Sequence, residues 1–153
     1  MAKHPSTDEE YAKYEAAIER SKDVVSRILL TQLYLEHLLE RYIDSKVSKA
    51  KQLFGRDGLS FTQKVNLAYA FSEMDEQLCD SLRKVNKLRN DIAHRMGFDI
   101  DQKTIDDLGR TLGKHYSEIK KNATSKDEIL PRILARLSGV MARKARDSES
   151  SKT

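Results

Sequence analysis

Arg89, Asn90 and His94 are the residues of this 153-residue chain whose types and spacing could do chemistry. They stand in the run Arg89-Asn90-Asp91-Ile92-Ala93-His94. An arginine keeps its charge and offers a planar fork of donors to an anion. An imidazole is the side chain best suited to exchanging a proton near neutral pH. On a helix turning about 100° per residue, Asn90 and His94 stack one turn apart, with Arg89 beside them. The run therefore presents a cation, an amide and a titratable imidazole together, a set that can hold an anion and move a proton next to it. A structural role competes with this one. Arg89 could pair with Glu36, Glu40 or Asp91, and His94 could be a last-turn residue favoured by the helix dipole.

Other chemistries have less to work with. The chain has no Gly-rich phosphate loop, no nucleophile elbow and no His-Glu-x-x-His. Cys79 is the single cysteine, so neither a disulfide framework nor a Cys-based metal site is expected. The acidic pairs Glu9-Glu10, Asp106-Asp107 and Asp127-Glu128 fall at helix starts or on surfaces. Of the remaining histidines, His4 belongs to a frayed terminus, His37 to the polar side of its helix and His115 to the edge of an amphipathic stripe. Tyr34, Tyr42 and Tyr69 occupy helical positions as core or interface fillers.

The elements that position the motif are helices. No proline interrupts the chain between Pro5 and Pro131, and apolar residues recur at helical rather than alternating spacing. A first helix is predicted from residues 6–8, with a break near Ser21, running through Ile28, Leu35, Leu38, Leu39, Tyr42 and Ile43. Its apolar arc is broad enough for a central helix or for one that also serves a subunit interface. Residues 46–59 read as a connector with an Asp57-Gly58 turn. Ser60-Phe61-Thr62-Gln63 makes a capping box for a short helix. The motif helix follows over 75–94, then a helix over 101–120 and a last one over 131–143, with Pro131 in its first turn. On the motif helix Leu78, Leu82, Val85, Leu88, Ile92 and Met96 share one arc, and Arg89 falls inside it. Cys79, Arg83, Asn86, Asn90 and His94 line the adjoining edge. A guanidinium at that margin must be paired or face a groove that takes an anion.

The bulk properties describe one all-α domain over residues 7–146, between a flexible N-terminus at 1–6 and a disordered, Ser-rich tail at 147–153. Charged residues make up 34% of the chain and apolar ones 39%, and the net charge of +4 favours a polyanionic partner such as RNA only mildly. The basic run Arg132, Arg136, Arg143, Lys144 and Arg146 fits a solvated helix face. No stretch approaches the roughly 20 apolar residues of a membrane span. The start, Met1-Ala2-Lys3-His4-Pro5, lacks the apolar core of a secretory signal. A cytoplasmic setting without membrane contact is expected.

The Arg-Asn-x-x-x-His spacing at the end of a long helix resembles the Arg-polar-spacer-His motif of the HEPN superfamily, with Arg89, Asn90 and His94 at the matching positions. A wider stretch is similar to the mannitol operon repressor family in particular. It comprises Phe54-Gly55, then Leu59-Ser60-Phe61-Thr62-Gln63-Lys64-Val65-Asn66-Leu67-Ala68-Tyr69-Ala70, then Leu88-Arg89-Asn90-Asp91-Ile92-Ala93-His94. The resemblance covers residues 25–100 or so and implies a HEPN-type bundle of about five helices.

Two functions follow from it. Catalytic HEPN proteins are metal-independent endoribonucleases in which two motifs meet in one cleft. On that branch Arg89 would bind the scissile phosphate, Asn90 would orient it or the imidazole, and His94 would act as general base or acid. Cleavage without metal needs a base for the 2′-OH, an acid for the 5′-oxygen and positive charge at phosphorus. One chain offers a single histidine beside an arginine, and a twofold dimer doubles the set. The expected partners are then a second copy, RNA, and an antitoxin or other protein, in a toxin, abortive-infection or defence role without cofactor or metal. The repressor-like branch implies instead a non-catalytic regulator acting through protein partners, its motif a polar latch at the dimer interface. No DNA-reading helix-turn-helix is recognisable, so direct operator binding is not expected on either branch.

Overall fold

The computed structural model describes residues 7–20, 23–71 and 73–151. Among these are seven α-helices and no strand: α1 (Thr7–Arg20), α2 (Val24–Lys46), α3 (Phe61–Tyr69), α4 (Glu76–His94), α5 (Gln102–Arg110), α6 (Lys114–Asn122) and α7 (Ile129–Ser151). Short 3-10 turns occupy Ala50–Leu53 and Lys126–Glu128. The all-α class predicted from periodicity is the class observed, with seven helices in place of about five.

The helix at the centre is α2. Ile28, Leu35, Leu38, Leu39, Tyr42 and Ile43 are all fully buried on it, and it packs on α1, α3, α4 and α7. An arc that wide is what a helix with neighbours on several sides requires. The long first helix of the sequence reading is two helices. Residues 21 and 22, where the break was placed, lie outside the described residues, and Asp23 caps the start of α2 by accepting from Val25 N at 3.2 Å. The capping box on α3 is present as predicted. Ser60 Oγ accepts from Gln63 N at 3.2 Å, and Gln63 Oε1 accepts from Ser60 N at 2.9 Å.

Two boundaries differ from the sequence reading. The helix predicted over 101–120 is two helices, α5 and α6. Gly113 between them takes φ 61, a left-handed conformation that suits glycine and ends a right-handed helix. Tyr116 of α6 lies over Gly109 of α5, where any Cβ would overlap the tyrosine ring, and the Tyr116 hydroxyl donates to Asp106. At the other end of the chain, the tail expected to be disordered continues α7 through Ser151. Ala145 and Ser148 are buried, Ser148 shares a hydrogen bond with Ser45, and Glu149 accepts from Arg41 Nη2 at 2.6 Å. A polar composition hid a helix whose small residues face α2. Finally, the flexible terminus expected at 1–6, with His4 in it, and residues 152 and 153 lie outside the described residues.

Two charged clusters are built into the interior. Lys64 on α3, 2% exposed, donates to Glu36 at 2.9 Å and to Glu40 at 2.8 Å. Burial pushes its ammonium pKa down, and the hydrogen bonds to Glu40 and Glu36 more than offset that, leaving it above the ordinary value. Arg41 on α2 joins Glu10 of α1 to Glu149 of α7, so one guanidinium fastens both ends of the described chain to the central helix.

Candidate functional site

Helix α4 carries the motif on its last turns. Asp75 caps its start, accepting from Leu78 N at 2.7 Å, and Leu78, Leu82, Val85 and Leu88 bury its inner face. The predicted arc holds as far as Leu88, and Ile92 is half-buried. Met96 is fully exposed, because the helix ends at His94 and the chain reverses at Gly97. Cys79, assigned to the edge, is fully buried, and desolvation pushes its thiol pKa up.

The polar edge divides into a stitched part and an open part. Arg83 donates to Asn66 of α3 at 3.0 Å and to Asp80 at 3.2 Å. Asn86 accepts from Gln32 of α2 and donates to Thr62 of α3, both at 3.4 Å. From Arg89 onward no side-chain hydrogen bond of α4 reaches another helix among the described residues. Arg89 is half-buried, and Asn90 and His94 are exposed. Arg89 Nη1 donates to Asn90 Oδ1 at 3.3 Å, and His94 forms no hydrogen bond to either. The sequence offered Glu36, Glu40 and Asp91 as partners for Arg89. Glu36 and Glu40 are taken by Lys64, and Arg89 makes no ion pair with Asp91. Sequence reasoning did not single out Gln32, Thr62, Asn66 or Lys64; a buried glutamine in the apolar run of α2 was the one available signal.

Arg89, Asn90 and His94 thus share an exposed edge, and none of them lines any of five surface clefts. Within one protomer the arrangement can present a cation, an amide and an imidazole to a partner. It does not enclose a substrate. Two other histidines have structural partners: His37 Nε2 meets Glu10 at 2.8 Å, and His115 Nδ1 accepts from Arg136 Nη2 at 2.8 Å. Tyr34 stacks on Tyr14 with ring centroids 4.5 Å apart and Tyr42 is in the core, whereas Tyr69 is 45% exposed.

Part of the α2 surface is apolar. Tyr42 on α2 reaches Glu73, just ahead of α4, at 3.3 Å, and Gln32 meets Asn86, so the two helices run antiparallel. One and two turns back from Gln32 lie Leu29 and Val25, at the end of the bundle where Asn90 and His94 stand. Val25, Leu29 and Leu33 are 36%, 39% and 64% exposed, and their four-residue spacing puts them on one face. No helix among the described residues is long and apolar enough to cross a membrane, and no cluster of three or more His, Cys, Asp or Glu among them could hold a metal ion.

No protein-family model matches the chain, and no curated protein matches its sequence. Among solved structures it is similar to a protein of Shigella flexneri 2a, YggD, described as a possible transcriptional regulator. The two share 14% sequence identity with a TM-score of 0.64, over 97% of this chain and 99% of that one. At that identity the likeness is one of fold.

Proposed function

We propose that this chain is a regulatory protein that works as a homodimer through the α2–α4 face, with Arg89, Asn90 and His94 as polar contacts at the edge of that interface. The observation that carries the reading is the motif's setting: an open edge that lines none of five surface clefts, at the end of the bundle where α2 also exposes Val25 and Leu29. Apolar side chains ringed by directional polar groups are the composition of a protein-binding surface. The description of a protein of similar fold as a possible transcriptional regulator supports the regulatory part. Light scattering at micromolar concentration should give twice the chain mass of 17.6 kDa. Leu29→Glu combined with Leu33→Glu should give a folded monomer, since both side chains are already solvated in one protomer. A monomeric wild type, or a dimer indifferent to both charges, would overturn the reading.

A second reading, metal-independent RNA cleavage, has one observation of its own. The Arg89 guanidinium donates to a neutral amide and meets no carboxylate, so its charge is available to a phosphate. The resemblance to catalytic HEPN proteins supports it. If it holds, the purified dimer cleaves single-stranded RNA in EDTA to 2′,3′-cyclic phosphate ends, and His94→Ala abolishes cleavage while leaving the dimer intact. Cleavage that survived His94→Ala would sink this second reading.

A further inference from the structure

On the flank of α4 next to Asn90 and His94, α4 and α5 leave a cleft of about 380 Å³, a size that small-molecule sites commonly have. Its floor is apolar: Leu88 and Leu108 are each 3% exposed, and half-buried Phe98 lies beside them. Its walls are charged. Helix α4 contributes Lys84, Lys87 and Asp91, with Arg95 at its end, and the far side contributes Asp99, Asp101 and Asp107.

Two of those carboxylates are already engaged. Asp101 caps α5, accepting from Thr104 N at 2.8 Å and Thr104 Oγ1 at 2.7 Å, and Asp107 accepts from Arg110 at 3.3 Å. The Arg95 guanidinium lies over the Phe98 ring, 5.0 Å from its centroid. Lys84, Lys87, Asp91 and Asp99 line the same space, and none of them forms an ion pair among the described residues. Elsewhere in the molecule facing charges meet directly, as at Lys64 with Glu36 and Glu40 or at Arg41 with Glu10.

We infer that this cleft binds a small zwitterion with an apolar body, of the class of the apolar L-α-amino acids. A simple anion would satisfy Lys87 and Arg95 and face repulsion from Asp91 and Asp99, and a simple cation would meet the reverse. A molecule carrying both charges on one carbon satisfies both walls. Its carboxylate takes the charge-assisted hydrogen bonds of the cations, its ammonium those of the carboxylates, and its side chain covers half-buried Phe98 and exposed Met96. Asp91 and Arg95 belong to the same turn as Asn90 and His94, so a bound ligand ties the motif's turn to α5. This inference does not depend on the proposed function.

The test is a two-dimensional ¹⁵N NMR titration of the full chain with L-leucine and L-phenylalanine, with acetate, butylamine and inorganic phosphate as single-charge controls. Saturable shifts clustered on Lys87, Asp91, Arg95, Phe98 and Thr104, seen with the amino acids and not with the controls, are expected. Asp91→Asn and Lys87→Met, both at solvent-accessible positions, should each keep the fold and weaken binding about tenfold, the worth of one charged hydrogen bond. The inference is overturned if neither amino acid gives saturable shifts in the cleft, if one of the controls reproduces them, or if both variants bind as the wild type does.

Discussion

Two cations at the margin of buried faces, Lys64 and Arg89, have opposite surroundings and should respond oppositely to removal. Lys64 is enclosed, and its ammonium holds Glu36 and Glu40 together. Lys64→Ala leaves two carboxylates facing one another, and we expect a loss of about 3 kcal/mol. That is the low end for a broken buried pair, because Glu36 and Glu40 keep 31% and 28% of their side-chain surface in water. Arg89 hydrogen-bonds only to Asn90 among the described residues, so Arg89→Ala should change stability by no more than about 0.5 kcal/mol, as surface substitutions do. Paired urea melts of the two variants check both values. A large loss on removing Arg89 would mean that it is held by groups beyond Asn90. A binding assay with single-stranded RNA then asks whether its free charge is used.

Among the elements, the seating of α6 on α5 through Tyr116 depends on one missing side chain. Because a Cβ at Gly109 would overlap the Tyr116 ring, Gly109→Ala must either push Tyr116 off α5 or separate the helices. Overpacking of this kind costs about 1–3 kcal/mol, well above the gain alanine brings to a helix interior. Thermal melts should show the loss, and Gly109→Ala combined with Tyr116→Ala should recover part of it. A variant as stable as the wild type would show that the two helices can part without cost. The break at Gly113 also accounts for the single helix predicted over 101–120. Ile105, Leu108, Leu112, Tyr116 and Ile119 keep helical spacing straight through it, so periodicity alone cannot register the interruption.

For the whole molecule, acid should loosen the α5–α7 side first. The hydrogen bond from Tyr116, then that from Gln102, holds Asp106 below its ordinary 3.8. Thr104 holds Asp101 low through its hydroxyl and then its backbone N–H, and the Thr124 backbone N–H and hydroxyl do the same for Glu128 below 4.5. A carboxylate depressed in the folded state contributes stability that is complete above its unfolded pKa and is lost as pH falls through the folded value. The melting temperature should therefore hold until about pH 4 and fall below it. Hydrogen exchange should report opening of α5 and α6 before α2. Stability unchanged well below pH 4 would contradict these hydrogen bonds.

What the sequence by itself determined is local. The capping box at Ser60, the helix that ends at His94 and the placement of Asn90 and His94 on one edge follow from hydrogen bonds and a helical period acting over one or two turns. Those forces involve only near neighbours in the chain, so a reader of residues can apply them. Partner choice belongs to the tertiary structure. Glu36 and Glu40 could have served Arg89 or Lys64, and the packing of α3 on α2 decided for Lys64, 28 and 24 positions away. The same holds for the tail, where residues polar enough to suggest disorder are helical because Ser148 and Glu149 find Ser45 and Arg41 across more than a hundred residues. Exposure of the motif edge, and a cleft next to it whose charges do not meet, likewise depend on which helices touch, and packing over that distance leaves no period in the sequence.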